Sequence, residues 1–296
     1  MPQPLCCSLT LRTGFGLDWN SSERGVIRHN HPPDKVAEWN VIPAVITPWH
    51  LPILFGTGLV AGFVDSIAGG GGLITLPVLL SLGLDPKQAL GTNKLQASFG
   101  SGSASWHYAR AKAVPLRDCA RGFMFSFAGA ALGSLAVQQL ARAALERIIP
   151  LLLIIVAVYT LLKPRLGEGD LHPRMTRSSF DFIFGLSIGF YDGFLGPGTG
   201  TFWTMAFMLG LGFNMLRATA YTKVMNFASN LSSLAIFLMS GRVCFFEGIT
   251  MGVGQLLGAK IGAGMVITRG TKFIRPIFIT VVFALTVKLL YGAYTR

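Results

Sequence analysis

Residues 61–83 read AGFVDSIAGGGGLITLPVLLSLG. An apolar run that begins near Leu51 carries one carboxylate, Asp65, and stops at four consecutive glycines, Gly69, Gly70, Gly71 and Gly72. A second apolar piece, Leu73–Gly83, follows at once. As a helix it reaches only about 16 Å, roughly half the hydrocarbon thickness of a bilayer. The pattern is that of an apolar helix broken at membrane depth. Residues 188–210, IGFYDGFLGPGTGTFWTMAFMLG, repeat it. At an offset of 127 residues Gly58 falls on Gly185, Gly62 on Gly189, Asp65 on Asp192, Gly69 on Gly196 and Gly71 on Gly198. A two-residue insertion after the short piece then brings Ala89 onto Ala218 and Lys94 onto Lys223. Shared glycines alone are weak in a chain with 36 of them; shared Asp and Lys in the same frame are much stronger.

The surrounding chain fits a lipid solvent. It has 296 residues, of which 51% are apolar and 13% charged, about half the charge of a soluble domain. The net charge of +12 lies mostly in short gaps between apolar runs, which argues for a membrane protein and against nucleic acid as partner. Disorder and a disulfide scaffold are excluded by the apolar content and by four irregularly spaced Cys. Residues 1–48 read as a polar extension, poorly ordered and without a signal-peptide core. Residues 49–296 read as one transmembrane domain: a first repeat over about 51–162, a linker over 163–179 and a second repeat over about 180–291.

Expected segments are Leu51–Ala68, Leu73–Gly83, Ala89–Ala109, Gly122–Ala141 and Ile148–Leu162. In the second copy they are Phe182–Leu195, Thr201–Leu211, Ala218–Met239, Gly248–Thr268 and Pro276–Tyr291. Basic gaps, with Arg110, Lys112, Arg117 and Arg121 in one copy and Arg269, Lys272 and Arg275 in the other, follow non-equivalent segments. Under the positive-inside rule the copies are inverted, with five crossings each. Four plus four spans in parallel copies is the alternative. The expected fold is therefore all-α and polytopic, with broken helices at matching glycine motifs.

Broken backbone survives in a membrane only when buried in protein or facing a wet cavity. Two breaks in matching places point to a substrate site at the midplane, with helix N-termini and glycine N–H groups presented to an anion. The candidate substrate residues are Gly69 to Gly72, Thr92, Asn93, Lys94, Gly196, Gly198, Gly200 and Lys223. The alternative for the glycines is close helix packing. Thr92 and Asn93 are read as helix caps as well as polar lining, with Gln96, Ser66 and Asn226 at lower weight. The lysines either supply positive charge to the anion or snorkel to an interface. Asp65 and Asp192 either carry a coupling proton or pair with a lysine across the repeats. Gly254, Gly258 and Gly262, with Gly129 and Gly133, have small-xxx-small spacing and read as helix contacts. The G-x-S-x-G match at Gly185–Gly189 lies in an apolar helix and is not read as a nucleophile elbow. No P-loop, metal pattern or cofactor is expected, and no enzymatic activity.

The run Ala61–Ile74 with Pro77, followed by Ala89-Leu90-Gly91-Thr92-Asn93-Lys94, resembles the signature of the TauE/SafE sulfite exporter family. The second copy departs from it at Gly196-Pro197-Gly198-Thr199-Gly200 and at Tyr221-Thr222-Lys223. The resemblance implies a permease of the bacterial inner membrane for sulfite, organosulfonates or related sulfur oxyanions. The expected function is a secondary transporter working by alternating access. Its partners are a small anion and lipid, with proton coupling and homo-oligomerisation as further expectations. A membrane-embedded scaffold and a passive anion channel are the alternatives.

Overall fold

A computed structural model describes residues 50–162 and 172–269, all helix and connecting turns, with no strand among them. The order is α1 (His50–Ala68), α2 (Gly71–Ser81), α3 (Pro86–Arg110), α4 (Leu116–Gln139), α5 (Arg142–Leu162), α6 (Arg177–Phe194), α7 (Thr199–Leu211), α8 (Met215–Met239) and α9 (Phe245–Arg269). The N-terminal extension and the expected segment Pro276–Tyr291 lie outside the described residues. α2 and α7 are the two short pieces expected after the glycine breaks. α6 starts inside what the sequence suggested was linker, because Thr176 caps it by accepting a hydrogen bond from the Ser179 amide.

Thr92 and Asn93 do not cap a helix. α3 begins earlier, at Pro86, where Asp85 accepts from the Lys87 amide and Gln88 closes a capping box. Pro86 has no N–H to satisfy at the first helical position, so the start is fixed there and Thr92 to Lys94 fall in the helix interior. α8 likewise starts before the expected Ala218, since Asn214 accepts from the Arg217 amide.

α1, α4 and α9 are long and apolar enough to cross a membrane. α1 packs along α9 and α6 along α4, both at backbone contact. A methyl group added at Gly258 would lie 2.0 Å from the Leu59 carbonyl oxygen, and one at Gly133 would lie 2.0 Å from that of Phe190. These glycines are where helices touch, as their spacing suggested. α3 and α8 pack against each other and against α9 and α4, and they hold the polar residues. Large apolar side chains such as Ile53, Leu132, Leu151, Ile183 and Ile261 are exposed, whereas Lys94, Lys223, Asp192 and Asn93 are buried. That distribution is the reverse of a soluble protein's, and it is stable only where the outer solvent is apolar.

Candidate functional site

α1 ends at Ala68, and Gly69 turns the chain with φ +70°. One turn earlier, Asp65 directs its carboxylate over the break. Its Oδ1 accepts from the amides of Gly70 and Gly71, each at 3.1 Å, so an anionic side chain sits on the positive end of α2. A side chain at Gly71 would strike the Asp65 Cβ, which is why the cap needs glycine there. The second break is built differently. Gly196 and Gly198 both have positive φ, the Thr199 hydroxyl donates to the Gly196 carbonyl at 2.5 Å, and the Tyr191 hydroxyl donates to the Pro197 carbonyl at 2.7 Å.

The two breaks meet. A Cβ on Gly69 would stand 2.4 Å from the Gly200 carbonyl carbon, and the Thr201 hydroxyl donates to the Gly69 carbonyl at 2.7 Å. Around this crossing lies a cavity of about 30 Å³. Asp65, Gly70, Gly71, Gly72 and Asn93 line it from one side, and Asp192, Gly196, Gly198 and Gly200 from the other. Ala97, Thr199, Asn226, Asn230 and Gln255 complete the wall.

The two lysines stand behind the carboxylates. Lys94 Nζ is 2.6 Å from Asp192 Oδ1, donates to the Asp192 carbonyl at 2.5 Å and reaches Asn230 Oδ1 at 3.4 Å. Asp192 Oδ2 accepts from the Ser229 hydroxyl. Lys223 Nζ is 3.0 Å from Asp65 Oδ2. Lys94 of α3 therefore neutralises Asp192 of α6, and Lys223 of α8 neutralises Asp65 of α1, the pairing alternative that the sequence left open. The lysine side chains are 1% and 0% exposed; Asp192 is 5% exposed and Asp65 is 16% exposed. Charges this dry are stable only as pairs.

Asn93 is held by neighbours: its Oδ1 accepts from Thr75 at 2.5 Å and from Gln96 at 2.7 Å. Thr75 also donates to the Gly71 carbonyl at 3.1 Å. In the other half Thr204 donates to the Gly200 carbonyl at 2.8 Å and lies 3.2 Å from Thr222. Thr75 in α2 and Thr204 in α7 thus make the same kind of bond, each to the carbonyl four residues before it.

Thr92 is not at the cavity. Its hydroxyl accepts from the Cys244 amide at 2.9 Å and ties α3 to the turn before α9. Thr92→Val is expected to lower stability by about 1–3 kcal/mol, the cost of a buried amide without its acceptor. Anion binding by the folded fraction should be unchanged; chemical denaturation and a binding titration check both. Ser66 also faces elsewhere, with its hydroxyl on the Phe63 carbonyl. Sequence reasoning missed Asn230, Ser229, Thr75 and Gln255. Asn230 lies one turn beyond Asn226 on the same face of α8, a legible signal; Gln255 has none, since it reaches the cavity from α9 only through tertiary packing.

An all-helical bundle with apolar flanks and a charged, glycine-walled centre defines a helical membrane protein with a polar site inside it. The particular family follows from comparison. The model of the family described as sulfite exporter TauE/SafE matches residues 54–289, and the chain belongs to that family. It is similar to a "probable membrane transporter protein" of Haemophilus influenzae, with 46% identity over 241 residues, 81% of this chain and 94% of the relative. It is also similar to the "probable membrane transporter protein YfcA" of Escherichia coli K12, with 43% identity over 250 residues, 84% of this chain and 93% of the relative. A third relative, the "probable membrane transporter protein YunE" of Bacillus subtilis, is 24% identical over 264 residues, 81% of this chain and 97% of the relative. No solved structure matches the chain.

Proposed function

We propose that the chain is a multi-pass secondary transporter of the bacterial inner membrane that moves a small anion, namely sulfite, an organosulfonate or a related sulfur oxyanion. The observation that carries the reading is the meeting of two glycine breaks at one buried polar cavity. Gly69 to Gly72 on one side and Gly196, Gly198 and Gly200 on the other bring backbone close to a guest, with Asn93 in the wall. Lys223 supplies the positive charge behind it, and Lys94 holds Asp192 in the opposite wall. The family and the names of the relatives support transport as the class.

Alternating access rests on two inverted copies. Exchanging α1 with α6, α2 with α7, α3 with α8 and α4 with α9 turns the α1–α9 contact into α6–α4 and the α3–α9 contact into α8–α4. The same exchange turns the Asp65–Lys223 pair into Asp192–Lys94. That is how two copies related by a twofold axis behave, and rocking one copy against the other opens the crossing to either face. One of the two aspartates, Asp65 or Asp192, carries the coupling proton.

Reconstituted liposomes test the reading. With an imposed proton gradient, labelled sulfite or sulfonate should accumulate beyond equilibrium, and the initial rate should saturate with concentration. Linear, non-accumulating flux would indicate a channel, and no flux of any anion would end the proposal.

A further inference from the structure

We infer that the Asp65 carboxylate is a built-in substitute for the cargo: the anion binds by displacing it, takes over Lys223, and leaves Asp65 to pick up a proton. The inference rests on the anion reading above and specifies how that site is regulated. The donors expected to hold an oxyanion are already in use. Gly70 and Gly71 give their amides to Asp65 Oδ1 at 3.1 Å each, and Lys223 gives its ammonium to Oδ2 at 3.0 Å. Two oxygens of one planar anion thus bridge the α2 N-terminus and a buried cation, which is the contact that a sulfonate or hydrogensulfite head would make. A guest cannot use these donors while Asp65 does.

Charge fixes what must follow. Lys223 is fully buried, and it can lose Asp65 only if another anion replaces it. A singly charged guest makes that exchange without adding net charge, provided that the displaced carboxylate becomes neutral. A second charge would be left without a partner. The proton on Asp65 then needs an acceptor, and the cavity holds two. Asn226 Oδ1 and Gln255 Oε1 belong to buried side chains that line it, and neither has a hydrogen-bond partner among the described residues. Buried amide oxygens without donors are costly; a protonated carboxyl beside them removes that cost.

Only one of the two pairs can behave this way. Among the described residues Asp192 is held by Lys94 and Ser229, accepts from no amide of its own break, and is the drier of the two carboxylates. The groups facing Asp65 are Lys223 from α8, Tyr108 from α3 and, across the cavity, Asp192 from α6 with Lys94 behind it. α2 and α7 contribute no titratable side chain, and α9 presents Gln255. With Lys94 and Asp192 cancelling each other, Asp65 is the group whose protonation the guest controls.

Binding of methanesulfonate to the purified full chain, followed by calorimetry between pH 5 and 8, tests this. Methanesulfonate does not titrate in that range, so any pH dependence belongs to the protein. The wild type should take up about one proton per anion, and its affinity should fall by up to tenfold per pH unit as pH rises. Asp65→Asn keeps an acceptor for Gly70 and Gly71 but is neutral. It should bind more tightly than wild type at pH 8, with no pH slope and no proton uptake. Sulfate, with two charges, should bind wild type more weakly than methanesulfonate. Wild-type binding without proton uptake, an Asp65→Asn variant that keeps the wild-type slope, or tighter binding of sulfate would overturn the inference and leave the anion site standing. No binding of either anion to either protein would remove the anion site as well. Should Asp65→Asn fail to fold, the wild-type proton count alone decides.

Discussion

Lys94→Ala is expected to destabilise the protein by about 3–5 kcal/mol, the usual cost of leaving one partner of a buried ion pair alone. Lys94 is 1% exposed and joins Asp192 through both the carboxylate and the main-chain carbonyl. Its removal strands a carboxylate that only Ser229 still addresses. Denaturant unfolding of the purified protein in detergent should show the loss. Lys94→Met combined with Asp192→Leu should recover most of it, because removing both charges also removes the desolvation penalty. That recovery separates a structural pair from a cargo-binding lysine: methanesulfonate affinity in the double variant should stay within a few-fold of wild type. A loss of affinity as large as that caused by Lys223→Met would return Lys94 to the binding site.

Gly69→Val is the second large effect. Gly69 has φ +70°, a conformation that costs a residue with Cβ about 1–2 kcal/mol, and its missing side chain leaves room for the Gly200 backbone at 2.4 Å from the Cβ position. Adding overpacking of about 1–3 kcal/mol gives a destabilisation of roughly 2–5 kcal/mol. The crossing of the two breaks should open and the cavity should lose its wall, so anion uptake in liposomes should fall below detection. Gly56→Ala is the matched control. Nothing lies within 4 Å of its added methyl, and both stability and uptake should be unchanged. Equal damage from both substitutions would mean that the contact at Gly200 is not what Gly69 is for.

Much of this arrangement can be read from Asp65, Lys94, Asp192 and Lys223. Four charges within apolar segments, two of them a few residues before glycine runs, indicate a polar centre before any coordinates are known. What they do not indicate is who pairs with whom. Asp65 and Lys223 are 158 positions apart, and only the packing of α8 against α1 and α3 brings them to 3.0 Å. Helix starts were misread where a cap outranked the apolar pattern. Asp85 and Pro86 begin α3 just under one turn before the expected Ala89, and Thr92 is a clamp on Cys244 and not a cap.

The crossed pairing of the aspartates and lysines also constrains biogenesis. A ribosome that has delivered the chain only to Leu162 has placed Asp65 and Lys94 in the bilayer while Lys223 and Asp192 are still unsynthesised. Until then the nascent segment must shelter its charges in the insertase or let Asp65 and Lys94 hold each other in a provisional contact. Both pairs can close only after α6 and α8 have been made, since they supply Asp192 and Lys223.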